Sequence, residues 1–157
     1  MQDRGLRGDA AAAEMKPWQI VIDTNVLVSA FRSDMGASFK LVTMTGDPRW
    51  QLNVSTALLL EYEEIVKATA PETGLTPQEA DDILDYLAAA SSHQEVHFLW
   101  RPQLRDPDDE FILDLAVECG ADFVISYNRR DLEEGCARFG MRVLTPKEFL
   151  SLVERKP

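Results

Sequence analysis

The sequence predicts an α/β fold built on a parallel sheet of about five strands, with helices on both faces. Three observations carry that expectation. Short apolar runs alternate with helical patterns from Trp18 to Val153. The first run, Trp18–Ile22 (WQIVI), is nearly unbroken in its apolar character, which suits a strand buried on both faces. Proline-led helix starts recur as Thr76-Pro77-Gln78-Glu79 and Thr145-Pro146-Lys147-Glu148, each joining a capping box to a proline at the first helical position.

After the first strand comes a helical stretch from about Val26 through Thr43, interrupted near Gly36 and ended near Gly46–Pro48. Trp50–Val54 reads as the second strand, and Ser55 can cap a helix running to about Ala68. Pro71–Leu75 reads as a loop. The helix opened by Thr76 carries Ile83, Leu84 and Leu87 and ends in Ala88–Ala90. Glu95–Trp100 is the expected third strand. Asp106-Pro107-Asp108-Asp109 opens a helix lasting to Cys119–Gly120, and Asp122–Ser126 and Met141–Leu144 are the fourth and fifth strands. The last helix covers Pro146–Val153. There are no repeats, low-complexity blocks or long linkers, so residues 17–153 are expected to form one domain behind a flexible tail of residues 1–16, in which Met15 offers an alternative start.

Composition narrows the function classes. With 45% hydrophobic and 27% charged residues in a chain of 157, there is enough apolar material for a real core. No stretch approaches the roughly 18 apolar residues needed to cross a bilayer, and the N-terminal charges lack the apolar core of a secretory signal. Cys119 and Cys136 form no CxxC pair and have no histidine at zinc-finger spacing. They read as reduced thiols of a cytoplasmic protein without structural zinc. His93 and His97 stand four apart but straddle the expected start of strand three, so no metal role is assigned to them. Trp18, Trp50 and Trp100 lie at strand margins and are expected in the core. A net charge of −11 opposes binding of a polyanion unless the acids are gathered where they hold cations.

In a parallel sheet of this kind ligands bind beyond the carboxyl ends of the strands. Strand one delivers Asp23 there, as a functional acid or as the N-cap of the next helix. On the helix after Ser55, Leu58, Leu59, Tyr62, Ile65 and Val66 share an apolar arc. Glu61 projects roughly 40° from Ile65, on the border of that arc, where it either reaches water or meets a partner such as a cation. Asp106, Asp108 and Asp109 crowd a helix's first turn; they complement its dipole, but their mutual repulsion calls for solvent or a cation. After strand four, Ser126, Asn128 and Asp131 again bring polar groups to the carboxyl edge, with turn and cap roles as the alternative. Hard oxygen donors without His or Cys select Mg²⁺ or Mn²⁺ over Zn²⁺, and such ions serve phosphodiester hydrolysis.

The strings IVIDTNVLVSAF, STALLLEYEEIV, RDPDDEFILDLAVECGADFVISYNRRDL and VLTPKEFL resemble the PIN domain in order and spacing, from about Trp18 to Leu150. The resemblance looks closest to the bacterial branch described as toxins of toxin–antitoxin systems. It implies a three-layer α/β/α fold, a metal-dependent endoribonuclease and single-stranded RNA as substrate. It also implies a homodimer and a separate antitoxin partner, with no membrane. By position, Asp23, Glu61 and Asp109 match the family's metal-binding acids. Asp106 matches a supporting acid, and Asn25 and Ser126 match small polar residues that brace the site. Asn128 stands where many relatives carry aspartate, with Asp131 three residues on, which leaves one metal ion or two as open alternatives. Arg32, Arg105, Arg129 and Arg130 are candidates to steer the RNA backbone.

Two rival readings make different demands. A phosphoacceptor receiver domain resembles this chain in size and acidity but needs an aspartate after strand three, where Trp100-Arg101-Pro102 stands. A PIN-like scaffold without activity, binding RNA or protein, accommodates Asn128 and the acidic surface.

Overall fold

The computed structural model describes residues 16–33 and 35–155, so the expected tail lies, apart from Lys16, outside the described residues. Five parallel strands form one sheet: β1 (Trp18–Ile22), β2 (Trp50–Val54), β3 (Ser92–His93), β4 (Phe123–Ile125) and β5 (Arg142–Leu144). Their spatial order is β3-β2-β1-β4-β5. Successive residues Ile20, Val21 and Ile22 are all buried, which a strand achieves only when both faces of the sheet are covered.

The covering helices are α1 (Thr24–Arg32), α2 (Ala37–Thr43), α3 (Thr56–Thr73), α4 (Pro77–Ala90), α5 (Glu110–Glu118), α6 (Arg129–Ala137) and α7 (Pro146–Arg155). Right-handed crossovers put α1 to α4, which serve the steps from β1 out to β3, on one face. The same rule puts α5 and α6, which serve the steps out to β5, on the other. Chain direction across the sheet therefore reverses between β1 and β4, and a crevice opens at their carboxyl ends. The end of β1 is tied to β4 there, the Asp23 amide donating to the Ile125 carbonyl at 2.9 Å, and the end of β4 is tied to β5, Ser126 N donating to Leu144 O at 3.0 Å.

Local signals explain most boundaries. Thr76 and Glu79 form the expected reciprocal capping box of α4, and Thr145 with Glu148 repeats it at α7. Two expectations need correction. The helix after Ser55 does not stop near Ala68, nor is Pro71–Leu75 a loop, because α3 continues through Pro71 to Thr73. Its stop is Gly74, whose positive φ of 76° lets its amide close onto Ala70 O. A proline so near the end forfeits one helical hydrogen bond without breaking the last turn.

Nor do Glu95–Trp100 form strand three; pairing is confined to Ser92–His93 against Asn53 and Val54. The apolar content of the later segment looks like a strand, but buried carboxylates of α5 take the amide at its end and two amides just beyond it. Trp100 N donates to Asp114 Oδ1 at 3.3 Å, and Gln103 N and Leu104 N both donate to Glu110 Oε1 at 2.8 Å. Trp100 is consequently 45% exposed, against the expectation of a core position, whereas Trp50 is buried as expected.

Candidate active site

Asp23 stands where β1 ends and α1 begins, and the N-cap reading of it holds. As the N-cap it accepts from Thr24 N at 2.8 Å. Only 6% exposed, it also turns its other oxygen to the β4 side, where Ser126 Oγ donates to Oδ2 at 2.8 Å. Burial raises the Asp23 pKa above the ordinary carboxylate value, while the bonds from Ser126 and Thr24 pull it back down.

Ser126 is the hub of the β4 end. Its hydroxyl also accepts from Asn25 Nδ2 at 3.1 Å and from Asn128 N at 2.9 Å. Asn25 in turn accepts from Tyr127 N at 3.2 Å. Asn25 and Ser126 thus sit where a brace for Asp23 is needed.

Asp109 reaches the same crevice from the 3₁₀ turn Pro107–Asp109 that leads into α5. Asn128 Nδ2 donates to its Oδ2 at 3.4 Å. Its carboxyl is pushed up to about 6, first by burial and then by the charges of Asp23, Asp106, Asp131 and Asp108. Asp23 and Asp109, 86 positions apart in the chain, therefore face the same space. Asp106 caps the 3₁₀ turn by accepting from Asp108 N at 2.9 Å, so it has a structural role besides its charge. Asp131 lies in the first turn of α6.

Glu61 is joined to this group by no side-chain bond. It is half-buried on α3, and its charge is not among those acting on Asp23 or Asp109. Its neighbour Tyr62 does meet β1: the Tyr62 hydroxyl donates to the Ile22 carbonyl, and burial followed by the Asp23 charge raises its pKa well above the usual phenol value. Sequence reasoning placed Tyr62 only in the apolar arc. The available signal was its hydroxyl, which when buried demands a partner.

The candidate arginines separate. Arg32 pairs with Glu72 and Arg129 with Glu148, while Arg130 and Arg105 line a groove beside Asp131. His93 bonds Ala88 O, and His97 pairs with Glu118, so neither meets the acids. Cys119 and Cys136 are free thiols that burial pushes up to about 11 and about 12.

A family model, described as PIN domain, matches residues 19–130, which include every acid of this crevice except Asp131. The chain belongs to the PIN-domain family. None of the curated proteins searched matches it. PIN domains are generally nucleases and typically use divalent metal ions. The donors of this PIN domain suit such an ion: carboxylate, amide and hydroxyl oxygens with no thiolate or imidazole select a hard cation. The charge crowding at Asp109 is of the kind a dication relieves. Among the described residues no three His, Cys, Asp or Glu side chains are already gathered at ligand spacing. No helix among them is long and apolar enough to cross a membrane.

Proposed function

We propose that this PIN domain is a Mg²⁺- or Mn²⁺-dependent endoribonuclease that hydrolyses phosphodiester bonds of single-stranded RNA in the cytoplasm. The observation that carries the reading is the hydrogen-bond chain that runs from Asp23 through Ser126 and Asn128 to Asp109 at the crevice between β1 and β4. Asp23 and Asp109 are the two acids we assign to cation binding, with Glu61 joining from α3. When bound, such a cation supplies Lewis-acid activation of water and neutralises charge developing at phosphorus. Ser126 and Thr24 fix the Asp23 carboxylate so that little reorganisation is left to the reaction. Asn128 bonds Asp109 and sets its orientation. In the reaction a water oxygen bonds to phosphorus, the ester P–O bond breaks, and the departing oxygen takes up a proton.

We further assign the protein to the toxin side of a toxin–antitoxin pair, acting as a homodimer and held in check by a separate antitoxin. Resemblance to the bacterial branch of the family supports that placement. A second reading has one observation in its favour. The neutral Asn128 amide, where an acid would strengthen cation binding, suits a scaffold that binds RNA or protein without cutting.

Incubation of labelled single-stranded RNA with Mn²⁺ or with EDTA separates the two. The enzyme cuts only with Mn²⁺, and Asp23→Asn lowers the rate at least about a hundredfold with an unchanged circular dichroism spectrum. Wild-type cutting by Asp23→Asn would remove the mechanism. Absence of carboxylate-dependent Mn²⁺ uptake in calorimetry would favour the scaffold.

A further inference from the structure

Beside the acidic crevice, a groove of about 260 Å³ runs between residues 102–105 and α6. Arg105, Arg130 and Arg138 line it, together with Asp131 and Glu134. Asp131 also belongs to the acidic crevice, since its charge acts on Asp109, so groove and crevice share a wall.

The wall opposite α6 is firmly held. Gln103 is gripped from both sides: its amide donates to Glu110 Oε1 at 2.8 Å, and its carbonyl accepts from Arg138 Nη1 at 3.0 Å. Leu104 packs onto α6 at Gly135, where an added Cβ would lie 2.4 Å from Leu104 Cδ2. A side chain there would push Leu104 aside and crowd the Gln103 carbonyl at 3.2 Å, so glycine seats the segment carrying Arg105 directly against the helix carrying Arg130 and Arg138. Arg138 spends its guanidinium on Gln103 and on Glu134 at 3.1 Å. Arg105 and Arg130 form no ion pair with any described residue, unlike Arg32, Arg129 and Arg101, which are bound to Glu72, Glu148 and Asp114.

We propose that Arg105 and Arg130 bind one backbone phosphate of the nucleic-acid strand, flanking the bond that is cut. The inference rests on the nuclease reading above and gives its substrate a direction of approach. Guanidinium forks match phosphate oxygens in geometry and charge. Three guanidiniums set against Asp131 and Glu134 leave one net positive charge, which suits a single phosphate rather than a track of them. A local cationic foothold also answers the objection raised by a net charge of −11.

The test compares wild type, Arg105→Gln/Arg130→Gln and a control, Lys40→Gln, whose ammonium is paired with Glu154. Fluorescence anisotropy with a labelled single-stranded RNA in EDTA is followed across a KCl series, and cleavage is timed in Mn²⁺. In the double variant affinity at low salt falls about tenfold, and the slope of log affinity against log salt shrinks by about 0.7, the contribution of one phosphate on a single strand. KM rises while kcat stays within about twofold, and Mn²⁺ uptake by calorimetry is unchanged. RNA cutting with wild-type KM and salt slope in the double variant would overturn the groove and leave the nuclease. RNA binding that the double variant loses, with no cutting by either protein, would keep the groove and remove the nuclease. A wild type that neither binds nor cuts removes both.

Discussion

The two ends of the sheet are built on opposite principles. At the amino end, Trp18, Trp50 and Phe123 each begin or adjoin the start of a strand, and Phe149 of α7 meets all three at 6.0, 5.8 and 5.8 Å. Trp18 and Phe123 meet edge to face at 5.4 Å and 85°. At the carboxyl end the same strands deliver Asp23 and Ser126, opposed by Asp109; burial raises the pKa of both acids, and neighbouring like charge raises that of Asp109 further. The amino end gains from every contact it makes. The carboxyl end holds ionisable groups that would be better off in water, and so costs stability where the amino end supplies it.

Removing the keystone of the aromatic end should have the largest effect on stability. Phe149→Ala deletes a fully buried ring with three aromatic neighbours and should destabilise by about 3–5 kcal/mol. For a chain of this size that lowers the melting midpoint by about 10 °C. A loss below about 1 kcal/mol in denaturant titration would mean that the amino end is not where stability resides.

Next in size is Ser126→Ala, which removes the hydroxyl that holds Asp23 Oδ2 and receives the Asn25 and Asn128 donors. Losses of about 10–100-fold in Mn²⁺ affinity are expected, as for other residues that orient a metal-binding carboxylate. Calorimetric titration reads this directly. Wild-type affinity in this variant would show that Asp23 needs no brace.

The sequence made the amino end and the first acid legible, and it did so for physical reasons. An apolar run long enough to be buried on both faces, ended by an aspartate that can cap a helix, leaves few other arrangements for Asp23. The crowding of Asp106, Asp108 and Asp109 is visible as adjacent like charge, and the family resemblance already pairs Asp109 with Asp23, whereas the hydrogen-bond chain through Ser126 and Asn128 that joins the two acids depends on the strand order. Glu110 and Asp114 gave no signal, because acidic side chains are seldom fully buried. They decided the path of residues 95–104 by capturing amides that a neighbouring strand would otherwise have taken. Arg138 was likewise invisible as a groove residue, since its place depends on the turn of α6 over Leu104.

The smallest effect distinguishes the two ends most sharply, because it has the opposite sign. Asp109 has a folded pKa of about 6 against an ordinary value of 3.8. The folded state therefore disfavours its ionised form, and stability falls as pH rises from about 4 to about 6 and stays reduced above. In EDTA, Asp109→Asn removes that penalty. The variant should be more stable than wild type at pH 7 by on the order of 1 kcal/mol once solvent screening of this partly exposed group is allowed for. The advantage should shrink through pH 6 and vanish below about pH 4, where wild-type Asp109 is protonated in both states. Added Mn²⁺ should reverse the ranking, since binding to the folded wild type stabilises it while the variant lacks one carboxylate ligand. Wild type and variant melting at the same temperature at pH 7 in EDTA would mean that Asp109 is not charge-crowded. A midpoint for wild type unmoved by Mn²⁺ would mean that the crowding serves no cation.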